Sequence, residues 1–345
     1  VKQWIKRCEE KHDACAEFDS YYVPKRLLVI GSARFVYLRN MTTWKSPVEY
    51  TCLSYCWGDS SLQSLKTTKA TLNCNLESID WDVLPKTIQD ALDLTYRLGV
   101  RFLWVDSLCI LQDDIEDWRD QAAEMAEIYS NAYLTIAAVS SSDSNGGLYR
   151  VVEECITIPP STVSDKPFIL RTRPEVEHQK QSMNEKPFNS KESPLWTRAW
   201  TFQEERLSRR LVEFRSQEVA WRCRTAGTCE CGHDPKKAND QGDFDRRGKP
   251  HVMSPQNFNL GTVSSSDEMT WEILVEAYSK RQITYPNDRF PAFSGIAKQY
   301  EREINDQYIA GLWRNTIWRN LLWTAIEPGR RIAKWIAPSW SWASV

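Results

Sequence analysis

Phe102-Leu-Trp-Val-Asp106 is the stretch on which the fold turns. Four apolar residues in a row, closed by a carboxylate, read as a short strand covered on both faces. Helical patterns flank it. Upstream, Leu84, Ile88, Ala91, Leu92, Thr95 and Leu98 recur at helical spacing, with Pro85 in the first turn and Gly99 at the stop. Downstream, Asp113 and Asp114 offer caps, and Trp118, Ala122, Met125 and Tyr129 share one helical face. Further out, Tyr50-Thr-Cys-Leu-Ser-Tyr-Cys-Trp57 reads as a strand closing at Gly58-Asp59. Tyr133-Leu-Thr-Ile-Ala-Ala-Val139 reads as a third strand, running into the polar turn Ser140 to Gly147.

Residues 50–147 therefore spell strand, helix, strand, helix, strand, the order of an α/β doubly wound parallel sheet. Such sheets bind ligands outside the carboxyl ends of their strands. Here those ends are Ser54, Tyr55, Trp57, Gly58 and Asp59, then Asp106 and Ser107, then Ser140 to Asn145. All are polar or aromatic although the strands feeding them are apolar; turns are polar in most proteins, so each end taken singly is ambiguous.

Past residue 150, Pro159-Pro160, Pro167, Pro174 and Pro187 mark an excursion rather than another helix–strand unit. Pro194 to Ser208 reads as a helix, Leu211 to Phe214 and Glu218 to Cys223 as a hairpin, and 232–268 as a polar, mobile loop. The expected organisation is an N-terminal extension over 1–49, the α/β domain over 50–210, and a Trp-rich α+β region over 211–345 packed on that domain.

Composition narrows the function. Among 345 residues, 44 basic side chains nearly balance 46 acidic ones, for a net charge of −2. That excludes a generally basic nucleic-acid-binding surface and a polyanionic tail. Sixteen Trp against 13 Gly point to aromatic packing rather than flexible linkers. Ten cysteines at uneven spacing, several inside apolar runs (Cys52, Cys56, Cys109), fit a reducing, cytoplasmic setting. Val1 to Glu10 hold no signal-peptide core, and no apolar stretch approaches the ~20 residues of a membrane span. The chain opens at Val1, which leaves open that it is a piece of something longer.

The familiar phosphate and metallohydrolase signatures are missing: there is no G-x-G-x-x-G, no P-loop, no H-E-x-x-H and no G-x-S-x-G. His12, His178, His233 and His251 all fall outside the α/β core, so chemistry, if present, belongs to carboxylates. Two thiol-rich clusters, Cys8-x3-His12-x2-Cys15 and Cys223-x5-Cys229-x-Cys231-x-His233, carry zinc-type ligands. The first reads also as a short helix packing Trp4, Cys8 and Cys15, with His12 exposed. The densest chemical segment is Trp196 to Ser208, where Arg198, Gln203, Glu204, Glu205 and Arg206 crowd among Trp196, Trp200 and Phe202. In a helix Trp200 and Glu204 share a face. A carboxyl beside an indole has a raised pKa suited to acid/base or cation-stabilising work. A surface helix whose Glu204 or Glu205 pairs with basic neighbours would have the same spacing.

Several motifs in order carry a resemblance. Tyr50-x-x-Leu53-Ser54-Tyr55-x-Trp57-Gly58, Leu84-Pro85-x-Thr87-Ile88-x-Asp90-Ala91 and Leu98-Gly99-x-x-x-Leu103-Trp104-Val105-Asp106-Ser107-Leu108-Cys109-Ile110-x-Gln112-Asp113 resemble the fungal heterokaryon-incompatibility (HET) domain. So do Asp117-Trp118, Met125-x-x-Ile128-Tyr129-x-x-Ala132, Gly147-Leu148 and Arg198-x-Trp200-Thr201-x-Gln203-Glu204-x-x-Leu207-Ser208. The Cys8/His12/Cys15 start, Phe293-Ser-Gly-Ile296, Ala310-Gly-Leu-Trp313 and Ala337-Pro-Ser-Trp-Ser-Trp-Ala343 are similar to pieces found around that domain.

The resemblance implies a role in self/non-self recognition between fungal cells, with the domain triggering programmed cell death. The family is in turn similar to TIR domains, which implies a flavodoxin-like sheet. TIR domains that act as NAD⁺ glycohydrolases carry W-C-x-x-E. Trp200-Thr-Phe-Gln-Glu204 has that Trp–Glu spacing without the Cys, which makes Glu204 the implied catalytic residue of an NAD⁺-cleaving hydrolase. Ser54, Tyr55, Trp57, Gly58, Asp59, Asp106, Ser107 and Trp200 are then the expected nucleotide contacts. No cofactor is required; NAD⁺ is a substrate, and Cys8, His12 and Cys15 are the candidate zinc ligands. Expected partners are a second copy of the chain, an activating recognition partner and NAD⁺ or a related nucleotide, with no nucleic acid and no membrane span. Two other classes stay in view: a non-catalytic self-associating signalling module using an interface helix with Glu124 and Glu127, and a zinc-stabilised adaptor.

Overall fold

The computed structural model describes residues 1–16, 21–58, 65–149, 155–158, 168–171, 191–231, 268–325 and 335–345. The chain enters through helix α1 (Lys2–Lys11) and the strands β1 (Arg26–Ile30) and β2 (Val36–Asn40). It continues through β3 (Thr51–Ser54), α2 (Leu72–Glu77), α3 (Lys86–Arg97), β4 (Phe102–Trp104), α4 (Asp106–Cys109), α5 (Ile115–Asn131) and β5 (Leu134–Ala137). The pair β6 (Cys155–Ile158) and β7 (Phe168–Arg171) precedes α6 (Thr201–Leu207), β8 (Arg210–Phe214), β9 (Val219–Cys223) and β10 (Gly227–Cys229). The carboxyl-terminal part holds α7 (Glu268–Ser279), α8 (Pro291–Ile304), β11 (Tyr308–Ile309), β12 (Leu312–Trp313) and α9 (Ile317–Asn320).

One eight-stranded sheet runs in the order β10-β9-β8-β5-β3-β4-β1-β2. Its centre is parallel: β3 pairs with β4 and with β5, and β5 pairs with β8. Both margins are antiparallel, β1 and β2 beyond β4, β9 and β10 beyond β8. The α/β expectation from residues 50–147 thus holds at the centre of the sheet. The same sheet runs on through residues 49 and 210, where domain boundaries were expected. Arg26-Leu-Leu-Val-Ile30 is as apolar as β4, with Leu27 and Leu28 fully buried. Asp117 of α5 fastens it, accepting from Arg26 and from Lys25 at 2.7 Å.

The helix expected over Pro194–Ser208 is broken. Pro194–Thr197 form a 3₁₀ turn, Arg198 is extended, and α6 begins at Thr201. The motif residues of α3 have a packing role. Thr87 Oγ1 accepts from the Gly147 N–H at 3.0 Å and Asp90 Oδ2 from the Leu148 N–H at 2.9 Å. Gly147 itself has φ +74°, and a Cβ there would sit 2.8 Å from Asp90 Oδ2. Gly99 ends α3 at φ +90°, as a C-terminal glycine should.

The main core covers both faces of the sheet. A second core, beyond α6, gathers Phe202, Trp271, Tyr278, Phe293, Tyr300, Trp313 and Trp342. Tyr278 stacks on Phe293 at 4.6 Å and Trp271 meets Trp313 edge-on at 4.9 Å. Gly295 lets α8 lie against α5 and α6: an added Cβ would meet Ala126 Cβ at 2.5 Å and Gln203 Oε1 at 2.8 Å. Gly295→Ala is therefore expected to destabilise the fold by about 1–3 kcal/mol through overpacking. Urea titration checks this, and an unchanged midpoint would show that the helices can part cheaply. Among the described residues no helix is long and apolar enough to cross a membrane.

Candidate functional site

Because β3 and β4 are parallel neighbours, they deliver Ser54, Tyr55, Trp57 and Asp106 to one end of the sheet. The extended turn before α6 brings Arg198 to the same place, its guanidinium donating to the Tyr55 carbonyl at 2.6 Å. The Tyr55 hydroxyl donates to Ser107 Oγ at 2.8 Å. Asp106 accepts from the Trp57 indole at 2.9 Å and from the Ser107 N–H at 2.7 Å. The Lys66 ammonium lies 5.1 Å over the Trp57 ring.

Glu204, in the first turn of α6, is 6% exposed. Burial raises its pKa to about 7 against an ordinary 4.5, and the charge of Asp106 adds to the rise. The Ser54 and Tyr129 hydroxyls and the Arg198 cation oppose it. Asp106 is likewise raised by burial, to about 6, against the pull of Arg198, Trp57 and Ser107. Two carboxyls that titrate near neutrality thus face one arginine. Ser54 Oγ and Trp104 Nε1 are buried here without a hydrogen-bond partner of normal geometry, and Trp104 rests edge-on against Tyr129 at 5.6 Å.

The next residue behaves in the opposite way. Glu205 accepts from Arg222 at 2.9 Å and also from Arg281. Those cations, with Arg206, hold it well below the usual carboxylate range despite its burial. Of the two glutamates weighed for a surface ion pair, Glu205 makes the pairs, with its side chain 6% exposed, and Glu204 is buried.

The structure brings Glu204, Ser54, Tyr55, Trp57, Asp106 and Ser107 together. Trp200 goes elsewhere: its indole donates to Asp288 at 3.0 Å and meets Trp118 edge-on at 6.3 Å. It stands as N-cap of α6 between the two cores, so the expected indole wall beside Glu204 is built by Ser54 and Tyr129 instead. Gly58 is exposed at φ +91°, and Asp59 lies outside the described residues. In sequence, Tyr129 stands only as a motif and helix-face residue and Arg198 only as part of the motif and of the dense segment Trp196 to Ser208; their influence on Glu204 depends on chain pairing that spacing does not encode. A hollow of about 250 Å³ opens among Leu65, Asp82 to Pro85, Ser144 and Asn145, bordered by the neighbour of Lys66. Separately, Cys8, His12 and Cys15 converge, and they do so with Cys223.

A parallel-centred α/β domain with an acidic group buried at its strand ends is the class so defined. Residues 50–204 match the family described as Heterokaryon incompatibility protein (HET). The chain carries a heterokaryon incompatibility (HET) domain. Over 110 residues it is 32% identical to Heterokaryon incompatibility protein 6, OR allele, of Neurospora crassa, a match covering 29% of this chain and 16% of that protein. The chain thus spans about a sixth of that relative's length. No solved structure matches it significantly.

Proposed function

We propose that this chain is an effector of heterokaryon incompatibility, acting in self/non-self recognition and cell death, whose domain cleaves the nicotinamide–ribosyl bond of NAD⁺ through Glu204. The observation that carries the reading is the Glu204 carboxyl, buried beside Ser54 at the end of the first parallel strand and poised near neutrality. In chain order the four parallel strands lie second-first-third-fourth across the sheet, the order of flavodoxin-like folds, which supports the TIR likeness. The chemistry suits a single carboxylate. Nicotinamide leaves as a neutral base and takes the bonding pair, C1′ becomes oxocarbenium-like, and ionised Glu204 stabilises that charge. Water then adds to C1′ and gives its proton to the carboxylate, so ADP-ribose, nicotinamide and one proton result. Trp57 offers a stacking face, and Asp106 an acceptor for ribose hydroxyls.

Nicotinamide release from NAD⁺, followed by chromatography on concentrated, self-associated protein, tests this. The native chain is expected to release it and Glu204→Gln to be silent. Because the ionised form works, the rate should rise about tenfold per pH unit below 7 and level off above it. A native chain without release, or a Glu204→Gln chain as fast as the native one, sinks the reading.

A second reading, a self-associating module without chemistry, draws on the 6% exposure of Glu204. It predicts that Glu204→Gln keeps killing activity. Charge reversal at Glu124, exposed on α5, probes it, whereas Glu127 is half-buried and accepts from the Asn131 amide at 3.3 Å.

A further inference from the structure

The two thiol clusters, far apart in the chain, are regrouped in space. Cys223 leaves the cysteines that follow it and joins His12, 211 residues away, its Sγ standing 3.3 Å from His12 Nδ1. The ligand atoms of Cys8, His12, Cys15 and Cys223 all lie within 4.8 Å of one another. With Zn–S near 2.3 Å and Zn–N near 2.0–2.1 Å, a tetrahedral site separates its ligand atoms by roughly 3.4–3.8 Å. The cluster, with one separation of 3.3 Å and none beyond 4.8 Å, needs only small side-chain shifts to reach it. We propose that Cys8, His12, Cys15 and Cys223 form a structural zinc site.

Its surroundings suit thiolate ligands. Arg210 Nε donates to Cys8 Sγ at 3.4 Å, and the Ala226 N–H donates to Cys223 Sγ at 3.3 Å. Three thiolates and one imidazole around Zn²⁺ carry a net charge of −1, and the Arg210 guanidinium stands against it. None of the three cysteines is in a disulfide. Three sulfurs and a nitrogen select zinc over the hard cations, which take oxygen, and a full set of four leaves no open position for catalysis. Cys8 and Cys15 are fully buried, whereas His12 is half-buried and leaves a way in.

The site is a staple. α1 has no pairing in the sheet, and β9 lies near the sheet's edge. Trp4 meets Trp221 at 6.3 Å, Arg224 donates to the Ala14 carbonyl at 3.1 Å, and the metal fixes what these contacts only guide. The remaining thiols make a natural control. Cys229 and Cys231 share a group of three with Glu218, and Cys231 is exposed.

Zinc content of the full chain, purified under reductant without chelator, is the test. Cys223→Ser and Cys15→Ser are each expected to lose about one equivalent relative to the native chain, and Cys231→Ser to lose none. Should the serine variants fail to fold, the native chain decides alone. Stripped and refilled with Co²⁺, it is expected to give tetrahedral d–d bands and a charge-transfer band scaled to three thiolates. A native chain that carries no zinc and yields no cobalt–thiolate band overturns the proposal. So does zinc that stays in Cys223→Ser and leaves with Cys231→Ser.

Discussion

Glu204→Gln is expected to melt higher than the native chain at pH 8 and at the same temperature at pH 4. The folded state holds this carboxyl at about 7, against 4.5 for an ordinary glutamate. Below pH 4.5 the group is protonated in both states and its contribution to stability is intact. As pH rises, the unfolded chain loses the proton first, so stability falls until about pH 7 and is flat above. The difference amounts to about 3–4 kcal/mol at the upper plateau. Glutamine cannot ionise and escapes the fall. Asp106 titrates in the same direction, raised by burial to about 6, but it is present in both chains and cancels in the comparison. Thermal melts across pH decide the matter; a shift equal at pH 4 and pH 8 would mean that packing, not protonation, separates the two. Together with loss of nicotinamide release, a stabilised variant would mark Glu204 as a group kept at a cost to the fold.

One residue further on the sign reverses. Glu205→Ala should lower stability by about 3–5 kcal/mol, because it strands buried cations rather than removing a contact. The Arg281 side chain is 1% exposed and loses its carboxylate partner, while Arg222 keeps Glu213 at 2.5 Å. Arg281→Met added to Glu205→Ala should recover much of the loss, since the two sites act as one. Denaturant midpoints for the two single variants and the pair give the coupling; additive losses would show that the buried charges are independently solvated.

Local pattern made the centre of the sheet legible. Apolar runs at 50–57, 102–105 and 133–139 contain the shorter strands β3, β4 and β5, and the periodic segments between them contain α3 and α5, because each element's burial is written in its own residues. The margins were harder. Arg26-Leu-Leu-Val-Ile30 is strand-like, but nothing in it announces a partner as distant as β4. At the site, Glu204 was found through the Trp–Glu spacing, yet Trp200 itself faces Asp288. The spacing assumed one continuous helix, and the helix begins only at Thr201. Which of two adjacent glutamates would pair with arginine could not be read at all, since Arg222 and Arg281 reach Glu205 from other elements. Cys223 was grouped with its sequence neighbours for the same reason: pairing of β8 with β9, not spacing, carries it to His12.

The seven residues of α6 have no face to spare. One side gives Phe202 to the aromatic cluster, another turns Glu204 toward Ser54, and Glu205 reaches the arginines. The segment that defines the family stops at residue 204, within this helix. Cut free there, it would lose Leu207 and Ser208 of its own motif, the Glu205 ion pairs and the strands β8 to β10 that extend the sheet. The matched piece is thus the middle of a larger sheet rather than the whole of it, and transplants or truncations should respect the whole.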